Sequence, residues 1–421
     1  MNLDSPDLWR FLEHLSYLGP LGLVGLVSWT VWLGRWLLSR RYRPIVNDYR
    51  TTTSVIVPAY REDPDVLVRC LGTWLEQKPT EVILVVDVGD QAVLDRLAMI
   101  KEKSLTVIPF RHEGKRSALA VGIRAAKHDI LVLTDSDTSW EPGLLAAVQM
   151  PFVDPKVAGV GTRQRVYMRS TSIWRVVADW MVNVRYLDFV PAMGRAGGVA
   201  CLSGRTAAYR RTVVMDVLPQ LEYEYFLGRL CVAGDDGRLT WLVLGRGFKT
   251  VHQDNARALS MFPDTFRAFV KQRIRWSRNS YRTYFTAMYK GWLWHQPLVT
   301  QITVLQILAT PLSMSGALAF LALSLIGNHW SFVALGFGWL LGGRAIRGIS
   351  HLRENPRDIV YAPLIVLATI VVALPIKTYA FVTMNRQGWL TRSADHIGGE
   401  AQTEASLHHE HGASRAPAAS G

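Results

Sequence analysis

EVILVVD, from Glu81 to Asp87, and ILVLTDSD, from Ile130 to Asp137, decide the fold class. Each is a short apolar run rich in β-formers, and each ends in a carboxylate. Comparable runs occupy Ser54 to Val57, Ser104 to Pro109 and Val157 to Thr162, with helical stretches such as Pro64 to Gln77 and Lys115 to Lys127 between them. Strands alternating with helices predict an α/β domain, a mostly parallel sheet with helices on both faces, whose ligands sit at the carboxyl ends of the strands. The acidic residues stand at those ends.

The chain around this block is unusual. It has 421 residues, length for about two to three folding units. Lys and Arg number 47 against 34 Asp and Glu, a net charge of +13, yet 49% of residues are hydrophobic and only 19% charged. That balance excludes a disordered chain and an ordinary cytosolic enzyme. With 15 Trp and long apolar runs, the basic excess reads as flanks facing anionic lipid rather than a surface for nucleic acid. Cys70, Cys201 and Cys231 are widely separated and share no CxxC or Cys/His spacing, which indicates core thiols rather than a disulfide framework or zinc site.

Leu15 to Gly34 carries no formal charge and is long enough for a bilayer core. No cleavage site follows it, so it reads as an anchor. Two further spans fit between Gly291 and Ser350, broken at Gly327, Asn328 and His329, and Ile359 to Met384 supplies another containing Pro363, Pro375 and Lys377. Arg35, Arg40, Arg41 and Arg43 place the chain after the first span in the cytoplasm. Crossing at every span would put the tail outside, against the preference of Arg386 and Arg392. The expected layout is a leader and span (1–43), a catalytic domain (44–260), an interfacial helix (261–290), about three spans (291–384) and a terminal segment (385–421). The tail, with His408, His409 and His411, has little that packs and reads as disordered.

Asp135 and Asp137, one residue apart at a strand end, can hold a hard cation whose remaining positions take phosphate oxygens. VPAYRE, Val57 to Glu62, offers a ring and a carboxylate to a base, and Gly114, Lys115 and Arg116 open a helix suited to phosphate unless they form a solvated cationic face. Asp235 and Asp236 either cap a helix or include a general base for a sugar hydroxyl. Arg267, Lys271, Arg275, Arg278 and Arg282 recur every three to four residues. They make a stripe that lies on anionic lipid, or that contains, as Gln272, Arg275 and Trp276, a QxxRW motif with Arg on a diphosphate and the indole under a sugar.

The order VPAYRE, VVDVGD, GKR, DSD, SGR, GDD, QRIRW and finally GWLTR resembles the membrane-embedded family 2 glycosyltransferases, the processive synthases of hyaluronan, chitin, chitooligosaccharide and cellulose. The resemblance covers about residues 20–393. It implies a GT-A type domain inserted between transmembrane helices. Tyr60, Glu62, Asp87 and Lys115 would hold the nucleotide; Asp135 and Asp137 would bind the diphosphate and Mg2+ or Mn2+; and Gln272 and Arg275 would close over the donor. Ser203, Gly204 and Trp276 would meet the acceptor, and Asp236 would be the base, beside Asp235. The implied activity is inverting polymerisation of a β-linked polysaccharide from a nucleotide sugar, in the first instance a UDP-sugar, at the cytoplasmic face of the plasma membrane. The chain would be secreted through the protein's own channel, with accessory secretion proteins as further partners. A nonprocessive transferase on a lipid-linked or short acceptor is the alternative, and a noncatalytic membrane assembly subunit the alternative of another class. Val88 and Gly89 follow Asp87 where relatives have DDG, Arg205 stands where relatives have Pro, and Gly237 separates GDD from Arg238.

Overall fold

The computed structural model describes Arg10, residues 22–111 and residues 113–386. Residues 15–21 of the expected first span, the GWLTR motif and the histidine-bearing tail lie outside the described residues.

Helix α1 (Leu23–Arg40) is followed by β1 (Thr53–Ala59), α2 (Pro64–Leu75), β2 (Glu81–Asp87), α3 (Gln91–Ala98), β3 (Leu105–Phe110), α4 (Lys115–Ala125) and β4 (Ile130–Thr134). Next come β5 (Thr138–Trp140), α5 (Leu144–Gln149), β6 (Val157–Val166), α6 (Ile173–Val184), a π-helical turn (Arg185–Phe189), α7 (Val190–Ala196), β7 (Thr206–Arg210) and α8 (Arg211–Glu222). A small hairpin, β8 (Tyr225–Phe226) and β9 (Arg229–Leu230), leads to α9 (Asp235–Gly245), β10 (Lys249–Ser260) and α10 (Phe266–Tyr289). The apolar remainder forms α11 (Leu298–Ile326), α12 (Trp330–Arg347), α13 (Ile349–Glu354), α14 (Ala362–Leu367) and α15 (Leu374–Val382).

The large sheet has the order β3-β2-β1-β4-β7-β6-β10-β5. β3, β2, β1 and β4 are mutually parallel, as are β6 and β10, while β7 runs antiparallel between the two groups. Strand alternation explains why helices cover both faces: Ile56, Ile83 and Val85 enter one core with α4 and α8, whereas Val55, Val57, Val82 and Leu84 enter the other with α2 and α5. Helix α2 is typical of the covering layer. The Asp63 carboxylate accepts from the backbone N–H groups of Asp65 and Val66, Pro64 occupies the first turn, and Leu67, Cys70, Leu71 and Trp74 form its buried stripe. Each such side chain contributes about 2 kcal/mol of burial.

Among the described residues, α11 alone is long and apolar enough to cross a membrane. Its 29 residues reach about 43 Å. The break at Gly327, Asn328 and His329 is a turn, with Asn328 at φ 56°, and the run from Ile359 is helical but includes a π-helical stretch at Ala368–Ala373. α1 runs past the expected end of the first span at Gly34, and the buried Arg35 guanidinium lies 3.7 Å over the Phe189 ring and donates to Gln306 of α11.

The segment after α12 is locked onto the sheet domain. Arg163 donates to both Glu354 carboxylate oxygens at 2.7 Å, Ser350 donates to Asp188, and the His351 ring lies 4.6 Å from Trp180. Asn183 donates to His351 Nδ1, leaving Nε2 to donate to Asp358 at 2.8 Å, while Arg169 pairs with both Asp358 and Asp179. Asp179, His351 and Asp358 are close enough together to ligate a cation, but the Arg169 guanidinium already fills that role.

Candidate active site

β4 delivers Asp135 to the carboxyl edge of the sheet, and the antiparallel β7 brings the Ser203–Arg205 turn beside it. The Arg205 carbonyl accepts from Thr134 Oγ1 at 2.7 Å and from the Asp135 N–H at 3.3 Å. Across from this pair stands the start of α9. Gly234 turns the chain at φ 79°, a left-handed conformation that glycine adopts freely, so that Asp235 and Asp236 begin the helix. Arg116 holds that turn from below, donating to the carbonyls of Ala233 and Gly234 and pairing with Glu224 at 2.8 Å. It is buried, which corrects the expectation of a solvated cationic face.

These elements and α10 enclose a cavity of about 190 Å³. Of the residues singled out in the sequence, Lys115, Asp135, Asp137, Ser203, Gly204, Asp235, Asp236, Arg275 and Trp276 line it. Lys115 Nζ bridges Asp135 Oδ1 at 2.7 Å and Asp235 Oδ2 at 3.1 Å. Burial alone would depress the lysine, but the two carboxylates outweigh it and hold the ammonium above its ordinary range. Asp236 accepts from the N–H of Gly237 at 2.7 Å and of Gly204 at 3.4 Å. Burial, then the neighbouring Asp235 charge, raise Asp236 above the ordinary carboxylate range, and Lys115 pulls it back. A Cβ at Gly204 would lie 3.3 Å from Lys115 Nζ, so the glycine lets the turn approach the carboxylates closely.

Tyr60, Glu62, Asp87 and Gln272 do not line this cavity. Tyr60 follows β1 with the Arg61 guanidinium over its ring, Glu62 is buried and accepts from Ser136, and Asp87 accepts from the Gly89 N–H at 2.8 Å. Gln272 is 1% exposed, and its Oε1 has no hydrogen-bond partner. The lipid-facing stripe is likewise corrected for two members: Arg278 and Arg282 are buried, donating to Thr383 and to the Met384 carbonyl just past α15. Cys201 is no core thiol. It lines the cavity 3.9 Å from Asp236, and burial pushes its thiol up to about 12.

Arg185, Tyr186, Asn279, Ser280 and Thr283 line the cavity without having been singled out in the sequence. Helical spacing carried a signal for the last three, which lie three, four and seven residues beyond Trp276 on α10. Arg185 and Tyr186 sit on the π-helical turn, which no local motif announces.

A mostly parallel α/β sheet with paired strand-end carboxylates, closed by a helix-start acid pair and a QxxRW helix, is the arrangement of a GT-A-like sugar transferase. The chain belongs to the glycosyltransferase-like family 2, which matches residues 50–279. It is 28% identical over 354 residues to an N-acetylglucosaminyltransferase of Rhizobium leguminosarum bv. viciae, covering 82% of each chain. It is 28% identical over 359 residues to an N-acetylglucosaminyltransferase of Sinorhizobium fredii, covering 82% of this chain and 84% of the relative. The solved mannosyltransferase PcManGT from Pyrobaculum calidifontis, in complex with GDP-Man and Mn2+, aligns with a TM-score of 0.59 at 22% identity over 88% of this chain and 99% of its own, a likeness of fold.

Proposed function

We propose that the protein is a membrane-bound inverting transferase that moves N-acetylglucosamine from UDP-GlcNAc to the nonreducing-end hydroxyl of a β-linked glycan, at the cytoplasmic face, extending a chain that leaves through its own apolar helices. The observation that carries this reading is Asp236, which shares one cavity with the strand-end pair Asp135 and Asp137 and with the Trp276 indole. The relatives named as N-acetylglucosaminyltransferases support the donor sugar.

Asp236 is the base that takes the proton from the attacking hydroxyl, and its raised affinity for protons suits it to that step. Trp276 presents a flat face to the acceptor sugar. Asp135 and Asp137 are carboxylates of the kind that hold Mg2+ or Mn2+, and both face the cavity, so the donor set fits a hard cation. When bound, the ion neutralises charge on the leaving diphosphate. Arg275 is assigned to the same diphosphate. Tyr60, Glu62, Asp87 and Gln272 are assigned to the nucleotide end of the donor, with Ser203 and Gly204 beside the acceptor.

For the membrane layout, α11 supports one crossing, and α1, α12 and the helices from Ala362 to Val382 are proposed as the remaining apolar segments around residues 44–290. The test is to incubate the full-length protein with Mn2+ or Mg2+ and UDP-GlcNAc, UDP-glucose, UDP-GlcNAc plus UDP-glucuronate, or GDP-mannose, following nucleotide release and product size. UDP release and β-linked oligomers from UDP-GlcNAc are expected. Turnover of another donor in its place would overturn the sugar assignment.

A further inference from the structure

Two arginines of the cavity wall, Arg185 and Arg205, are not used by the donor chemistry, and a third, Arg273, stands close to them. Arg185 comes from the π-helical turn and Arg205 from the turn before β7, and both line the cavity; Arg273 of α10 is not part of the lining but lies near enough to both to be repelled by them, and it shares the Trp276 ring with Arg205. The Arg205 guanidinium is 3.7 Å over Phe262 and 5.3 Å from the Trp276 ring, and the Arg273 guanidinium is 5.0 Å from Trp276 and 4.9 Å from Phe269. Arg185 donates to the Cys201 carbonyl at 3.1 Å, and neither it nor Arg273 has a carboxylate partner among the described residues. Nε and Nη2 of Arg273 are buried without any hydrogen bond.

The contrast with Lys115 is informative. That cation is matched by Asp135 and Asp235, whereas burial, then repulsion from Arg205 and Arg185, push Arg273 down to about 9, with no carboxylate opposing them. A buried guanidinium without an anion is costly, and a fork of N–H donors matches phosphate oxygens in pairs. The cluster also points toward the apolar part of the chain. Lys377 of α15 is near enough to Arg273 to repel it, and its ammonium lies 5.7 Å from the Tyr281 ring of α10.

We propose that Arg185, Arg205 and Arg273 form a priming subsite for a phosphate group carried by a membrane lipid, which anchors a short acceptor glycan whose sugar rests on Trp276. The inference rests on the reading of this cavity as the acceptor site. It adds no bond-making step: the phosphate is held, and the acceptor hydroxyl remains the nucleophile.

The test uses full-length protein with UDP-GlcNAc, Mn2+ and three acceptors: chitobiose, chitobiose 1-phosphate, and phosphatidylcholine vesicles carrying isoprenyl-phosphate-linked chitobiose. The phosphorylated acceptors should show a KM about tenfold lower than chitobiose, and the vesicle-borne one the lowest of all. Arg273→Gln should raise KM for the phosphorylated acceptors about tenfold without changing KM for UDP-GlcNAc, and Arg273→Lys should recover part of the loss. Equal KM values for neutral and phosphorylated acceptors would overturn the subsite. A raised KM for UDP-GlcNAc in Arg273→Gln would reassign it to the donor diphosphate. A soluble 1-phosphate that performs as well as the vesicle would overturn the lipid source. If no acceptor is glycosylated, the function fails rather than the subsite, which equilibrium binding of chitobiose 1-phosphate still tests: equal affinity in wild type and Arg273→Gln would overturn it.

Discussion

Lys115 Nζ lies 2.7 Å from Asp135 Oδ1, and the same ammonium reaches Asp235 on the opposite wall at 3.1 Å. One cation therefore ties the strand-end acid pair to the helix-start acid pair, and it does so on Asp135, a carboxylate that would also help to hold the proposed divalent ion.

Replacing that cation separates its two roles. In Lys115→Gln the carboxylates Asp135 and Asp235 lose their shared neutralising charge, and transfer should fall on the order of a hundredfold, as when a preorganised charge stabiliser is lost. Asp135 also loses its competitor, so the Mn2+ concentration giving half-maximal activity should drop. Titrating Mn2+ in both proteins checks this. An unchanged metal requirement would show that Lys115 and the ion do not share Asp135.

Asp236→Asn keeps the shape of the cavity and removes the base. Turnover should fall roughly a hundredfold to ten-thousandfold while UDP-GlcNAc still binds. Because the base works ionised, the wild-type rate should rise with pH through the Asp236 ionisation. Burial and Asp235 place that limb above the usual carboxylate range of about 4. The limb should vanish from the residual activity of Asp236→Asn. A variant with wild-type turnover would mean that another group takes the proton.

The strands and their terminal carboxylates were legible because both depend on local pattern. Apolar runs separated by helices are enough to order β1 to β4, and Asp87 and Asp135 stand where strand ends must expose polar groups. The antiparallel β7, inserted between two parallel groups, was not legible, since TAAYR carries no mark of which neighbours it pairs with. The same limit applies to charge. The spacing of Arg278 and Arg282 placed them correctly on one helix face with Arg275, but what covers that face is α15 and Thr383 to Met384, about a hundred residues away. Arg116 was hidden for a similar reason: its partners Glu224, Ala233 and Gly234 are distant in sequence.

Trp276 is held by contacts that do not depend on substrate. Phe262 meets it edge to face with ring centroids 6.1 Å apart, so a smaller aromatic ring should keep its orientation. Trp276→Ala should raise the acceptor KM about five- to thirtyfold and shorten the products, from the loss of roughly 1 to 2 kcal/mol of stacking, whereas Trp276→Phe should retain most elongation. Chromatographic sizing of labelled product distinguishes the two. Equal product lengths in all three proteins would remove Trp276 from the acceptor platform.

The lock between the segment after α12 and the sheet domain gives a stability prediction. Arg169 pairs with two buried carboxylates, Asp179 and Asp358, and Asp358 in turn accepts from His351, whose ring packs on Trp180 of α6. Arg169→Met removes the charge while keeping much of the side-chain bulk, and leaves two acids facing each other out of water. Breaking a buried pair in this way costs about 3 to 5 kcal/mol. Because α6 runs directly into the turn carrying Arg185 and Tyr186, loosening this face should also disturb the cavity. The expected result is a lower unfolding midpoint in detergent, faster proteolysis between residues 348 and 361, and reduced transfer. The double variant Arg169→Met with Asp358→Asn should recover part of the stability by removing one stranded charge. If Arg169→Met unfolds at the wild-type midpoint and resists protease equally, the network does not hold the two parts of the chain together.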